Sequence, residues 1–402
     1  MMTGDVSCDI KESAAKNAVK AAACTNGCPG CNGYGCAAAA AGSVCGACKD
    51  FDGDSVAASL GDGDPRIKPA TAENIKKAAD IIKSGGLAAF PTETVYGLGA
   101  NGLDEAACRR IYAAKGRPSD NPLILHVASV AGLIPLVDTV PPMANALFNA
   151  FSPGPLTVVL KKSARVPSVV SGGLDTVAVR IPSHLVARSL IKAAGVPVAA
   201  PSANKSGRPS PTTAAHVAAD IGDELEIILD GGACEVGLES TIVSLATNPP
   251  RLLRPGGISL AQLEAVLGRV EVDGAVTGDV PQDVSPAAPG MKYRHYAPKA
   301  DVFLLNGSSA DVLNYMVSAE ESEKAVGILC LDGELTAFGG TATVISLGGT
   351  AKAAAAGLYS ALRLMDEANV SKIYCKLPPP DGDWLAVYNR LIKAAAGRVI
   401  KC

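Results

Sequence analysis

Residues 87–99 read Leu-Ala-Ala-Phe-Pro-Thr-Glu-Thr-Val-Tyr-Gly-Leu-Gly. The first four are apolar and unbroken, which suits a short buried strand. Pro91 ends that run, and hydroxyls and glycines follow. Such a turn brings backbone N–H groups and threonine hydroxyls close to a ligand, or it is simply a tight structural turn. No Gly-Lys-Ser or Gly-Lys-Thr comes after it, so it is not a P-loop. Upstream, Thr71 can cap a helix running to Ser84, with Ile75, Ala78, Ala79 and Ile82 on one face. Gly85-Gly86 stops it. Helix, stop, buried strand and polar strand end together make the unit of an α/β sheet.

The unit repeats downstream. Apolar runs predict strands at 123–127, 156–160, 177–181, 196–200, 227–229 and 241–245. Helical patterns fall at 104–115, 142–151, 183–194, 212–221 and 259–266. One α/β domain over residues 65–270 accounts for all of them. Residues 271–299 are Pro-rich and aperiodic, and end in Pro289-Gly290-Met291-Lys292-Tyr293-Arg294-His295-Tyr296-Ala297-Pro298. A connection of that length is either a linker or a lid. Residues 300–402 resume a βαβ rhythm, with strands expected at 302–305, 326–331, 344–346 and 372–376 and helices at 309–319, 350–368 and 383–396. That rhythm predicts a small, Rossmann-like parallel sheet covered by helices.

Residues 1–64 differ from the rest. They hold few large apolar side chains and are predicted to be a disordered, low-complexity extension. Cys28-x-x-Cys31 and Cys45-x-x-Cys48 lie within it at a spacing that can hold tetrahedral zinc. A cysteine-containing tail without metal is the other reading. The extension has no arginine and much aspartate, unlike a transit peptide. It also lacks a basic stretch leading into an apolar one, so no secretory signal is expected.

The whole chain has 402 residues, 48 % of them apolar and 19 % charged, which is globular composition. Its formal net charge of −3 excludes a global basic field for nucleic acid or anionic membrane. No apolar run of ~18 residues is present, so no membrane-spanning helix is expected. The cysteines outside the extension are scattered rather than framework-like, which points to a reducing compartment and a cytoplasmic location.

Five further polar segments end apolar runs. Lys115-Gly116-Arg117-Pro118-Ser119-Asp120-Asn121-Pro122 places two cations at a helix end. They complement the helix dipole or, if the path is extended, lie on one side as a phosphate clamp. His126 ends the next strand as either a core histidine or a site residue. Thr176, Ala178 and Arg180 share one strand face, and Arg180 there needs an anion, from the protein or from a substrate. Pro201-Ser202-Ala203-Asn204, with Ser210 beyond, adds uncharged donors beyond a strand end. Glu239-Ser240-Thr241 and Arg254-Pro255-Gly256 complete the set. The combination is cationic and hydroxyl-rich, with no Ser-His-Asp, paired-Glu or HExxH pattern. It suits charge neutralisation and positioning of a nucleoside triphosphate plus a small carboxylate ligand.

In order and spacing, Pro91–Gly99, Lys115–Pro122, Val179–Pro182, Pro201–Asn204 and Glu239–Val243 resemble the YrdC-like domain of threonylcarbamoyl-AMP synthases. The PGMKYRHYAP linker and the domain after it resemble the longer, two-domain form of that enzyme. The resemblance covers residues 67–402 and implies a twisted α/β domain with a concave basic cleft. It implies a nucleotidyltransferase making threonylcarbamoyl-AMP and pyrophosphate from L-threonine, bicarbonate or CO2, and ATP. A transferase complex then modifies tRNAs reading ANN codons, so tRNA, a largely double-stranded RNA, is a further partner. Mg2+ would arrive with the nucleotide. By motif match, Thr94, His126, Arg180, Ala200 and Ser240 would hold threonine. Lys115, Arg117, Asn121, Thr176, Ser202, Asn204, Ser210, Arg254 and Tyr296 would hold ATP, with Lys115 and Arg117 catalytic. The competing readings are a carbamoyl-adenylate-forming maturation factor, which would also account for Cys-x-x-Cys knuckles, and a non-enzymatic RNA-binding module.

Overall fold

The computed structural model describes residues 64–277, 288 and 296–402. The cysteine-rich extension, its two Cys-x-x-Cys pairs and most of the 271–299 connection lie outside the described residues. Helix Ala72–Lys83 starts where Thr71 accepts the Asn74 N–H at 3.2 Å. Its buried face, Ala78, Ala79 and Ile82, packs with Ala187, Leu190 and Ile191 of helix Leu185–Ala194.

Eleven strands form one sheet, in the order Ile67–Pro69, Ile227–Asp230, Ala88–Phe90, Gly97–Asn101, Val198–Ala199, Ile124–His126, Thr176–Arg180, Leu156–Lys161, Thr241–Ser244, Arg251–Arg254 and Glu271–Val272. The sheet is mixed. Gly97–Asn101 runs antiparallel to both Ala88–Phe90 and Val198–Ala199. This corrects the reading of residues 97–99 as part of a turn. The stretch has two glycines and no β-branched residue, so propensity argues against a strand. Close packing explains it: a Cβ on Gly99 would lie 2.8 Å from Phe90 Cε1 and 3.0 Å from Val198 Cγ1. The reversal before it is held by Thr92, whose Oγ1 accepts the N–H groups of Thr94 and Val95 and donates to Val95 O at 2.7 Å.

The second sheet is wholly parallel, in the order Thr343–Ser346, Val326–Cys330, Lys372–Lys376, Asp301–Asn306 and Val399–Lys401. Its helices Ala351–Glu367 and Leu385–Ala394 face the first sheet through a polar seam. Arg363 Nη2 pairs with Asp220 Oδ2 at 2.8 Å, both buried. Asn389 Nδ2 donates to Val276 O at 2.7 Å. Thr212 Oγ1 lies 3.0 Å from Ser360 Oγ.

Gly256 shows how tightly the main sheet closes. A Cβ there would press on the backbone N of Thr241 and lie 2.5 Å from the carbonyl O of Glu239. No flexible side chain can yield, so Gly256→Ala should cost about 1–3 kcal/mol. The urea midpoint checks this: it should fall while the m-value stays constant.

Candidate active site

Strand ends and loops of the main sheet enclose one cleft. Thr94, Arg117, His126, Arg180, Ala200, Ser202, Ser240, Arg254 and Tyr296, all anticipated from sequence, line it together with Thr92, Gly97 and Glu239.

Arg180 closes one end. It is 4 % exposed, and Nη2 donates to Glu93 Oε1 at 2.7 Å. Its partner anion within the protein is therefore Glu93. The other carboxylate oxygen of Glu93 accepts the N–H groups of Ser183 at 3.1 Å and His184 at 3.4 Å. Burial raises the Glu93 carboxyl, but Arg180 and these donors outweigh it and hold the group below its ordinary range. Arg180 is not exhausted by this pair: its Nε–H is buried with no partner among the described residues. A guanidinium offers five donors, and one carboxylate oxygen leaves room for a second anion.

His126 is a hydrogen-bonded core histidine that also lines the cleft. Nδ1 lies 3.2 Å from Ile124 O and so donates to it, and the ring stands edge-on to Phe90 at 6.5 Å. The same ring forms part of the cleft wall. Burial, and then the Arg180 charge, push its pKa down to about 3, so it is neutral. Ser240 Oγ lies 2.7 Å from Thr157 Oγ1 and accepts from Arg254 Nη2 at 3.1 Å.

Arg117 occupies the other side. Nη2 donates to Pro122 O at 3.1 Å, while Nε is buried with no partner among the described residues. Burial lowers its pKa to about 10, so it keeps its charge at neutral pH. Lys115 departs from the clamp reading. Gly116 sits at φ 60° and breaks the extended path on which the two cations would have shared a side. Lys115 Nζ turns instead to the carbonyls of Ser202 and Asn204. Burial, and then Arg117, hold its pKa well below the lysine range. Its role in the fold is to fix the Ser202–Asn204 loop. Asn204 pins the same loop, donating to Lys205 O at 2.8 Å and Arg208 O at 3.0 Å.

Three further candidates stand back from the cleft. Asn121 is buried, its backbone O accepting from Arg117 Nη2 at 3.4 Å and its Oδ1 unpartnered among the described residues. Ser210 donates to Glu239 Oε1 at 2.5 Å. Thr176 opens the strand that Arg180 closes.

Sequence reading assigned no role to Glu239, the hub between the two sheets. Tyr359 donates to its Oε2 at 2.9 Å and Arg390 Nε to the same oxygen at 2.8 Å. Burial alone would raise this carboxyl, yet Arg390, Arg254 and Ser210 bring it down to about 2. Tyr296 sits among these groups. It is buried, with φ 65°, its ring 5.4 Å from that of Tyr359 and beneath the Arg390 guanidinium at 5.5 Å. Both missed glutamates stand inside motifs that were read, in Thr92-Glu93-Thr94 and Leu238-Glu239-Ser240. The signal was a lone carboxylate in an otherwise uncharged motif.

Residues 80–256 match the Sua5/YciO/YrdC family, described as "Telomere recombination", and residues 258–396 match "Threonylcarbamoyl-AMP synthase, C-terminal domain". The chain is 48 % identical over 332 residues to the threonylcarbamoyl-AMP synthase of Pyrococcus abyssi, covering 81 % of this chain and 95 % of that one. It is 45 % identical over 331 residues to the Bacillus subtilis enzyme of the same name, covering 81 % and 94 %. The structure of P. abyssi Sua5 complexed with L-threonine superposes with a TM-score of 0.78 at 46 % identity, over 84 % of this chain and 98 % of that one. With both domain patterns present and nearly the whole length of these relatives spanned, the chain belongs to the threonylcarbamoyl-AMP synthase family.

Proposed function

We propose that this cleft joins L-threonine, bicarbonate or CO2, and ATP into L-threonylcarbamoyl-AMP, with release of pyrophosphate. The observation that carries the reading is the pair of buried guanidinium groups, Arg180 and Arg117, each with an Nε–H that has no partner among the described residues. One serves a carboxylate and the other a phosphate. Arg180 binds the threonine carboxylate while Glu93 fixes its plane. Thr94, Ser240, neutral His126 and the Ala200 backbone close around the amino acid. The unprotonated amine takes up CO2 and loses a proton, giving a carbamate. A carbamate oxygen then attacks the α-phosphorus, and the bond to the leaving pyrophosphate breaks.

Both reactants are anionic, so the cleft must offset their repulsion and hold them in line. Arg117 and Arg254 supply the charge. Lys115 acts one step back, by holding Ser202 and Asn204 in place. Tyr296 covers the nucleotide and keeps water from the mixed anhydride product. Mg2+ comes with the triphosphate in this reading. The nearby carboxylates are already engaged, which supports a metal carried by the nucleotide rather than held by them: Glu93 is taken by Arg180 and two N–H groups, and Glu239 by Arg390, Tyr359 and Ser210.

A transferase complex acting on tRNA consumes the product. The cytoplasm is the compartment that fits, and among the described residues Cys108, Cys234, Cys330, Cys375 and Cys402 are free thiols. No helix among the described residues is long and apolar enough to cross a membrane.

The test is pyrophosphate release from ATP and Mg2+, with each of L-threonine and bicarbonate omitted in turn. Release requiring both is expected. Release that needs carbamoyl phosphate and ignores threonine would overturn the reading in favour of carbamoyl adenylation.

A further inference from the structure

We infer that the C-terminal sheet carries a second ligand site, a cavity that takes an uncharged aromatic ring system of one or two rings, and that its occupancy acts on the catalytic cleft through helix Leu385–Ala394. The cavity measures about 200 Å³ and shares no lining residue with the cleft. It opens at the carboxyl ends of Val326–Cys330 and Lys372–Lys376, which are adjacent and parallel. From Cys330 the chain leaves toward Thr343–Ser346 at one edge of the sheet, and from Lys376 toward Val399–Lys401 at the opposite edge. Neighbouring strands whose exits diverge leave a crevice at their carboxyl ends, where open parallel sheets bind ligands.

The lining sets the ligand chemistry. Eleven of the thirteen lining residues are uncharged and mostly apolar, Leu329, Leu347, Leu377, Val387, Leu391 and Trp384 among them. The two charged side chains that reach it have partners of their own. Glu334 Oε2 accepts the Leu331 N–H at 2.9 Å, and Lys376 Nζ donates to Ser309 Oγ at 2.7 Å. A charged ligand would have to compete for these groups, whereas an apolar ring is welcome. An apolar cavity of roughly 150 Å³ holds benzene, so the larger one here has room for a second ring or a small substituent.

One helix links this cavity to the chemistry. Trp384, Val387 and Leu391 fall at i, i+3 and i+7 and present one face to the cavity. Beside that face, Asn389 donates to Val276 O and Arg390 reaches Glu239 at the cleft wall. A ring against the first face biases the placement of the second. This coupling rests on the synthase reading; the existence of the site does not.

Trp384 is the only tryptophan in the chain, so its emission reports on the cavity directly. The full chain would be titrated with 4-nitrotoluene, an uncharged aromatic quencher, with acrylamide as the collisional control. Saturable quenching with a midpoint below about 1 mM is expected. Val387→Phe should fill the cavity and leave only the collisional, linear part. Should that variant fail to fold by circular dichroism, Leu347→Phe fills the cavity from the strand side. A second readout uses the thiols of Cys330 and Cys375, which line the cavity. Their modification by methyl methanethiolsulfonate should slow several-fold with 4-nitrotoluene present, while that of Cys402, exposed and outside the cavity, should not. Linear quenching that neither variant alters, with no thiol protection, overturns the site. Saturating probe should change the rate of pyrophosphate release by about twofold or more. Saturable binding with an unchanged rate and unchanged KM values overturns the coupling and leaves the site standing.

Discussion

Arg180→Ala should raise the KM for L-threonine by two to three orders of magnitude, with a much smaller effect on the KM for ATP. Removing one member of a buried, hydrogen-bonded charge pair costs about 2–5 kcal/mol, roughly 30- to 4,000-fold, which brackets that rise. In free protein the loss falls on Glu93, which keeps backbone N–H groups, those of Ser183 and His184 among them, but no cation. In the complex proposed above it falls on the threonine carboxylate. The two losses separate by design. Glu93→Gln alone keeps the Arg180 cation but loosens its plane, so threonine binding should weaken by roughly tenfold, the loss of one charge-assisted hydrogen bond. Combined with Arg180→Ala, Glu93→Gln removes the stranded charge and should recover most of the lost stability while threonine binding stays lost. Denaturation midpoints and steady-state kinetics on the four proteins check this. An Arg180→Ala enzyme with an unaltered threonine KM would remove Arg180 from the amino-acid pocket.

The pair also shows where sequence reading stops. Arg180 was legible as a cation on a strand face in need of an anion, because strand periodicity and half-burial are local properties. Its partner was not legible, since Glu93 lies 87 residues away and the register of the three strands between Ala88–Phe90 and Thr176–Arg180 in the sheet decides the meeting. The helix Ala72–Lys83 was legible to within a residue, because a capping threonine and a pair of glycines mark its ends. The strand Gly97–Asn101 was missed because its glycines answer to the ring of Phe90 and to Val198, which only the folded sheet brings near. Of the two readings of Lys115, the cation closing a helix holds, and the clamp with Arg117 does not, because left-handed Gly116 parts the two side chains. Most of the cleft wall came from strand-end motifs, whose positions the sheet preserves. What came from tertiary packing has no local signature: Glu239 stood out as a lone carboxylate, but its partners Tyr359 and Arg390 lie 120 and 151 residues away.

That hub is where the second large effect is expected. Arg390 is fully buried; it donates to Glu239 Oε2 at 2.8 Å and to Pro255 O at 2.9 Å and lies over the Tyr296 ring. Arg390→Ala strands a buried carboxylate and should destabilise the protein by about 3–5 kcal/mol. It also takes one of the two walls from Tyr296, so pyrophosphate release should slow more than ten-fold, about 1.4 kcal/mol or more of lost transition-state stabilisation. The threonine KM should barely move, because the Arg180–Glu93 pair is untouched. The pH dependence gives an independent check. Glu239 has its pKa lowered from 4.5 to about 2, so its contribution is fully present above about pH 4.5 and is lost as pH falls toward 2. Without Arg390 the folded pKa rises, less of that contribution remains at neutral pH, and the acid limb of the stability curve flattens. Arg390→Met with Glu239→Leu replaces the pair by apolar groups of similar size and should return stability to within about 1–2 kcal/mol of the parent. Activity should not return, because neither the guanidinium over Tyr296 nor the carboxylate that orders Tyr359 is restored. If the double variant recovered activity along with stability, the hub would be a matter of packing alone; if Arg390→Ala left the acid limb unchanged, the charge pair would not be what holds the C-terminal sheet against the cleft.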